Sequence, residues 1–259
     1  MGGVRFSSAG ANLNGVIYEA AGPGPHPTLL MLHGFPGNEL NADIAQAVRR
    51  AGWNALIFHY RGSWGSEGEF SFSHVLEDSA TVFAALREPG LADAHRIDPA
   101  RVSVFGHSMG GFAALHTAAA LPEARCVVSV AGANMGSIGG NLEEPAVAQA
   151  VAARFQDWGE GYIRGVSGKA LVAELLANSA RFDTLSLAPR LASRPVFLVT
   201  GLRDEVTPTA TSHDPLLAAL QRAGARDLRE RRLEADHAFN GARVRLAREV
   251  VAFLDTKCR

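Results

Sequence analysis

Ser108 stands between two glycines in Gly106-His107-Ser108-Met109-Gly110, at the junction of a strand-like run and a helix-like run. Arg101-Val102-Ser103-Val104-Phe105 before it is rich in β-branched and aromatic residues, and Gly111 to Leu121 after it is rich in helix formers. A serine on a sharp strand-to-helix turn projects its hydroxyl from the sheet edge, and the glycines let strand and helix close around it. The helix start beyond it aims unpaired N–H groups at negative charge forming there. This is the chemistry of a nucleophile attacking a carbonyl. Such a hydroxyl needs an adjacent base, normally histidine, itself oriented by a carboxylate. Asp204 lies in Gly201-Leu202-Arg203-Asp204-Glu205-Val206-Thr207-Pro208 and His237 in Glu234-Ala235-Asp236-His237-Ala238-Phe239, each just past a strand-like run. Their order along the chain, Ser, Asp, His, fits this type of site. The loop His33-Gly34-Phe35-Pro36-Gly37 follows another strand, so the Phe35 and Met109 N–H groups are candidate oxyanion donors.

Other residues compete for these roles. Glu205, Asp183, Asp214, Asp227 and Asp236 are rivals to Asp204; Glu205 would point the other way on a short turn, and Asp183 falls in an insertion. His33 reads as a loop-shaping residue and His107 as packing beside the elbow. His59, His74, His95, His116 and His213 show no metal-ligand spacing.

The elements that must position these residues alternate. Strands are expected at 16–18, 28–32, 54–60, 101–105, 126–130, 196–199 and 228–233, the last charged and so near a sheet edge. Helices are expected at 41–51, 73–86, after Ser108, at 215–223 and at 244–254. This alternation implies an α/β fold with a mostly parallel sheet and helices on both faces. The rhythm breaks at residues 133–194, far longer than the ~10–12 residues a crossover needs. That insertion has a glycine-rich start (Gly136, Gly139, Gly140), suited to a hinge, and helix patterns at 145–155 and 169–177. It leaves the sheet at the end that carries the candidate site, so it is expected to act as a cap, with Trp158 and Tyr162 binding substrate. The division expected is a core of 1–132 and 195–259 with a cap of 133–194.

Composition narrows the function classes. The chain has 259 residues, 47% of them hydrophobic, and a formal net charge of −1, which gives no electrostatic argument for nucleic acid or membrane surfaces. No apolar stretch approaches the ~20 residues of a membrane span, and the N-terminal residues lack a signal-peptide core, so the cytoplasm is the default location. Cys126 and Cys258 suggest neither a disulfide framework nor a metal cluster, and Cys126 reads as an inert core residue.

Taken together, His33-Gly34-Phe35, Tyr60-Arg61-Gly62 with Gly65-Ser66-Glu67-Gly68, Gly106 to Gly110, Asp204 and His237 make the chain resemble the α/β-hydrolase superfamily over almost its whole length. The phenylalanine-type oxyanion loop and medium insert are similar to small carboxylesterases, including feruloyl-type esterases. Tyr60-Arg61-Gly62 equally resembles prolyl-oligopeptidase-like members. The resemblance implies a central sheet of about eight strands, a Ser108–Asp204–His237 triad, and ester hydrolysis that needs no metal or organic cofactor. The expected partner is a small ester or short peptide. A serine exopeptidase or amidase, for which Glu143-Glu144 would be the acidic anchor, remains an alternative. So do an acyltransferase or perhydrolase, and a non-catalytic binding module on the same scaffold.

Overall fold

The computed structural model describes residues 1–259. Eight strands form one sheet: β1 (Gly2–Ser8), β2 (Ala11–Tyr18), β3 (His26–Leu32), β4 (Asn54–Phe58), β5 (Ile97–His107), β6 (Val127–Val130), β7 (Val196–Gly201) and β8 (Leu228–Leu233). Their order is β1-β2-β4-β3-β5-β6-β7-β8. Only the β1–β2 and β2–β4 pairs are antiparallel; β3 to β8 run parallel. The α/β architecture expected from the alternating pattern is therefore present. The chain winds one way from β3 to β4 and the other way from β5 onward. The ends of β3 and β5 thus form the switch point where such sheets open a crevice.

Eleven α-helices accompany the sheet: α1 (Ala42–Arg50), α2 (Phe72–Ala85), α3 (Pro89–Ala94), α4 (Met109–Ala120), α5 (Met135–Gly140), α6 (Pro145–Gly159), α7 (Gly168–Ala177), α8 (Ser179–Phe182), α9 (Ala188–Leu191), α10 (Asp214–Arg222) and α11 (Arg243–Lys257). No helix is long and apolar enough to cross a membrane.

Successive side chains of a strand point to opposite faces, and both faces here are apolar. Leu30, Leu32, Leu56, Phe58, Val104 and Leu198 face α2, α4 and α10. Leu29, Met31, Ala55, Ile57, Phe105 and Val199 face α1 and α11. The charged β8, Leu228-Arg229-Glu230-Arg231-Arg232-Leu233, lies at the sheet edge as its composition implied. Charges there discourage pairing with another chain.

Three local expectations change. β1 has no counterpart in the sequence reading: its inward residues Val4, Phe6 and Ser8 alternate with exposed ones, but Gly2-Gly3 and Ser7-Ser8 weaken the strand signal. The glycine-rich stretch at 136–140 is not a flexible hinge but helix α5. A Cβ on Gly136 would come 2.3 Å from Ser179 O, so its missing side chain lets α5 press against α8. Finally, Cys126 is not a free core thiol. It forms a disulfide with Cys258, 132 residues away, tying the end of α11 to the start of β6. Neither local spacing nor composition signals so long a bridge.

Residues 133–194 form α5 to α9 and share the apolar cluster of the α2/α4 face through Phe155, Leu171, Leu175 and Phe182. Polar ties reinforce the junction. Both carboxylate oxygens of Glu174 on α7 accept first-turn N–H groups of α2, from Phe72 at 2.9 Å and Ser73 at 2.8 Å. Trp64 N–H donates to Tyr162 O at 3.0 Å, and Arg164 N–H to Gly62 O at 2.7 Å. The Tyr60-Arg61-Gly62 turn is itself pinned by Asp78, which is fully buried and accepts from Arg61 Nε at 2.7 Å and Arg61 N–H at 2.8 Å. Removing one partner of such a buried pair typically costs about 3–5 kcal/mol.

Candidate active site

Ser108 is the junction between β5 and α4, with φ 59° and ψ −123°, a region that L residues rarely adopt. The strand–helix closure that imposes this conformation leaves no room for side chains nearby. A Cβ on Gly106 would lie 1.8 Å from Gly110 O, and one on Gly110 would lie 1.9 Å from Leu32 O. The hydroxyl of Ser108 faces a cavity of about 480 Å³, which His237, Gly34, Phe35 and Met109 also line.

Asp204 and His237 leave β7 and β8 at the same end of the sheet. His237 Nδ1 lies 2.8 Å from Asp204 Oδ2. With the carboxylate as acceptor, Nδ1 carries the hydrogen and Nε2 is left as the basic nitrogen. Ser108 and His237 share the cavity wall without a hydrogen bond between them; contacts of this kind often tighten only once substrate binds. The Asp204 side chain is completely buried. Burial pushes its carboxyl up. The hydrogen bonds from His237 and the Thr207 backbone outweigh that, and the net result is a carboxyl held below its ordinary value. Val206 N–H and Thr207 N–H both donate to Oδ1, at 2.8 and 2.9 Å, while Thr207 Oγ1 donates to Oδ2 at 2.8 Å. Glu205, the nearest rival, is exposed.

Thr207 was not among the sequence-derived candidates, although a carboxylate followed by N–H groups two and three residues on is a recognisable turn signature. His107 was expected beside the elbow, and it does more there. Its Nε2 donates to the backbone carbonyl of His237 at 2.8 Å, fixing the loop that carries that residue. Burial pushes His107 down to about 4, so this ring is a neutral donor. His33 shapes its loop as expected: Nδ1 donates to Gly34 O at 2.7 Å, and burial pushes the ring down to about 3. Tyr60 Oη donates to His33 O at 3.1 Å and Trp64 Nε1 to Pro36 O at 2.8 Å, so both ends of the Phe35 loop are held. The Phe35 N–H makes no hydrogen bond within the chain, and Met109, as the first residue of α4, has no intrahelical partner for its own N–H.

The buried histidines carry a pH signature. An unfolded chain protonates histidine near 6.5, whereas His33 and His107 take up their protons only near 3 and 4. Protons therefore favour the unfolded state, and stability present above about pH 6.5 is lost as pH falls toward 4. Urea unfolding is expected to show roughly 2 kcal/mol lost per buried histidine by about pH 5. An unfolding midpoint that stays flat over this window would contradict the buried, neutral state of both rings.

The two aromatic residues expected to touch substrate separate. Trp158 lines the cavity on α6 beside Phe155 and Val151. Tyr162 does not; it is 39% exposed and stacks on Trp64 with ring centroids 4.5 Å apart, clipping the insertion to the Tyr60–Phe70 loop. Glu143 and Glu144, the possible peptide anchor, are exposed at the start of α6 and do not line the cavity. Nowhere do three His, Cys, Asp or Glu side chains gather in a metal-binding group.

A family profile described as alpha/beta hydrolase fold matches residues 27–219. An uncharacterised protein of Mycobacterium tuberculosis is 30% identical over 120 residues, which are 46% of this chain and 41% of that protein. This chain thus matches well under half of the length of its curated relatives. Among solved structures, Est1E from Butyrivibrio proteoclasticus superposes with a TM-score of 0.75 at 15% identity, covering 98% of both chains. The Pyrococcus furiosus esterase superposes with a TM-score of 0.72 at 16% identity, covering 100% of this chain and 91% of the other. At these identities the likeness speaks for the fold.

Proposed function

Because this chain belongs to the α/β-hydrolase fold family, we propose that it is a serine hydrolase cleaving carboxylic esters of small acyl or aryl substrates through an acyl-enzyme on Ser108. One observation carries this reading. A serine in a strained strand–helix turn opens on the same cavity as a histidine whose other ring nitrogen is bonded to a buried carboxylate. Esterases among the structural neighbours support hydrolysis in the broader sense.

In the proposed reaction, His237 Nε2 takes the Ser108 proton as Oγ attacks the carbonyl carbon. Asp204 stabilises the resulting imidazolium and fixes its tautomer. The N–H groups of Phe35 and Met109 receive the oxyanion. Collapse of the tetrahedral adduct expels the alcohol, which takes the proton from His237. Water, deprotonated by the same histidine, then releases the acid and restores Ser108. These steps call on no cofactor. Glu143 and Glu144 give no support to an exopeptidase, since they lie outside the cavity. The disulfide weighs against the cytoplasmic default, because such bonds persist mainly in oxidising compartments.

The direct test is a panel of p-nitrophenyl esters beside aminoacyl-anilides, with turnover of the esters alone expected. The insertion, in this proposal, decides which substrates enter. Trp158→Ala is expected to reorder kcat/KM along an ester series of rising acyl length while a small acetate ester, which needs little of the wall, changes far less. Tyr162→Ala should instead lower the melting temperature and leave that order intact. Parallel losses for all esters with Trp158→Ala, together with a lowered melting temperature, would reduce Trp158 to a structural residue.

A further inference from the structure

Helix α6 turns one face toward Ser108. Val151, Arg154, Phe155 and Trp158 fall on it at helical spacing, and all four line the cavity. Three of these are apolar. With Met135 and Ile138 of α5 they make a greasy wall whose single cation is Arg154. Its guanidinium is exposed to solvent at the cavity wall and, like those of several surface arginines, enters no salt bridge within the chain; what sets it apart is that it borders the cavity shared with Ser108. The one carboxylate that lines the cavity, Glu39, is already engaged. It accepts Asn41 N–H at 2.6 Å and lies 3.7 Å from Arg243 Nη2. Arg154 is not loose, however: its Cζ sits 5.4 Å from the centre of the Trp158 ring. A guanidinium resting on an indole keeps its planar fork available at low entropic cost.

An unneutralised, exposed arginine on an apolar wall of the cavity that Ser108 lines is suited to receive an anion on a substrate. We propose that Arg154 binds a carboxylate at the far end of the ester, so that the preferred substrates are half-acids, carrying one ester to be cleaved and one free carboxylate. This assignment rests on the hydrolase proposal for Ser108 and names its substrate class. The planar, bidentate match of guanidinium and carboxylate favours this anion. A cavity of about 480 Å³ accommodates a chain of several carbons between the two groups. The carboxylate can sit on the acyl side or on the alcohol side of the scissile bond, and the substrates chosen separate these cases.

Ethyl hydrogen adipate, suberate and sebacate are compared with ethyl hexanoate, octanoate and decanoate. The acetate ester of 6-hydroxyhexanoate, against hexyl acetate, reports the alcohol side. The wild-type protein is expected to prefer the half-acids, with an optimum at one chain length. In Arg154→Leu the ratio of kcat/KM for half-acid to neutral ester should fall roughly 10- to 100-fold, the effect of losing one charge-assisted pair. The change should reside mainly in KM, because a remote carboxylate is bound equally in ground and transition states. Arg154→Lys should restore part of the ratio. An unchanged ratio in Arg154→Leu, or a wild-type protein that prefers neutral esters on both sides, overturns the proposal.

Failure of the hydrolase proposal looks different: no ester turns over at all, or turnover survives Ser108→Ala. Calorimetric titration of Ser108→Ala protein with ethyl hydrogen suberate covers that case. Binding that disappears in the Ser108→Ala, Arg154→Leu double variant supports the carboxylate site independently of catalysis. Equal binding by both, or binding by neither, overturns it.

Discussion

Replacing Ser108 with alanine is expected to lower kcat on a p-nitrophenyl ester by about 10⁴-fold or more, because members of such a unit fail together rather than additively. The fold should survive. The hydroxyl makes no hydrogen bond to the rest of the chain, and the strained φ of 59° is enforced by the closure of β5 and α4 rather than by the side chain. A melting temperature close to wild type, with activity gone, is the expected pair of results. An organophosphonate probe should add its mass to one peptide, the one that contains Ser108. A label on any other serine, or an alanine variant with normal turnover, would remove Ser108 from the mechanism.

His237→Ala should be nearly as damaging, since in the proposed reaction the serine proton passes to His237. The other histidine on the wall, His107, donates to a backbone carbonyl and resists protonation until about 4. Asp204→Asn is expected to cost on the order of 10⁴-fold in kcat with little loss of structure. An asparagine can still accept the Val206 and Thr207 N–H groups through its oxygen. Its amide nitrogen would then face His237 Nδ1 and force the hydrogen onto Nε2, the wrong nitrogen for a base. Glu205→Gln is the control and should be close to wild type, because its side chain is exposed beside the turn. Normal turnover in Asp204→Asn with a dead Glu205→Gln would move the acid by one residue.

What could be read in the sequence, and what could not, divides along a physical line. The parallel strands were legible because burial on both faces leaves runs such as Leu29-Leu30-Met31-Leu32 almost free of polar residues. Ser108, Asp204 and His237 could be placed together because each follows a strand, apolar for β5 and β7 but charged for the edge strand β8, and parallel strands bring all their ends to one edge. Long-range geometry was not legible. Cys126 and Cys258 meet only after three further strands have been laid down. Gly136 and Gly139 looked like flexibility but serve close contact within a helix pair. Tyr162 and Trp158 are four residues apart in a stretch of mixed character, and nothing local says that α6 ends between them, turning one ring inward and the other onto Trp64. Arg154 was overlooked for a related reason. A single arginine on a helix is ordinary until the three apolar neighbours on its face are seen to border the cavity that Ser108 lines.

The disulfide has a topological consequence. Closing residue 126 onto residue 258 makes a covalent ring that carries α5 to α9, Asp204 and His237, while Ser108 belongs to the open tail that precedes it. In the chain-entropy description a ring of this size restrains the unfolded chain by on the order of 4–5 kcal/mol. A single peptide-bond cut in the exposed turns of the insertion would open the ring into a line without releasing either fragment. Asp204 and His237 would stay tethered to Ser108, and the break would become visible only when the sulfur–sulfur bond was reduced.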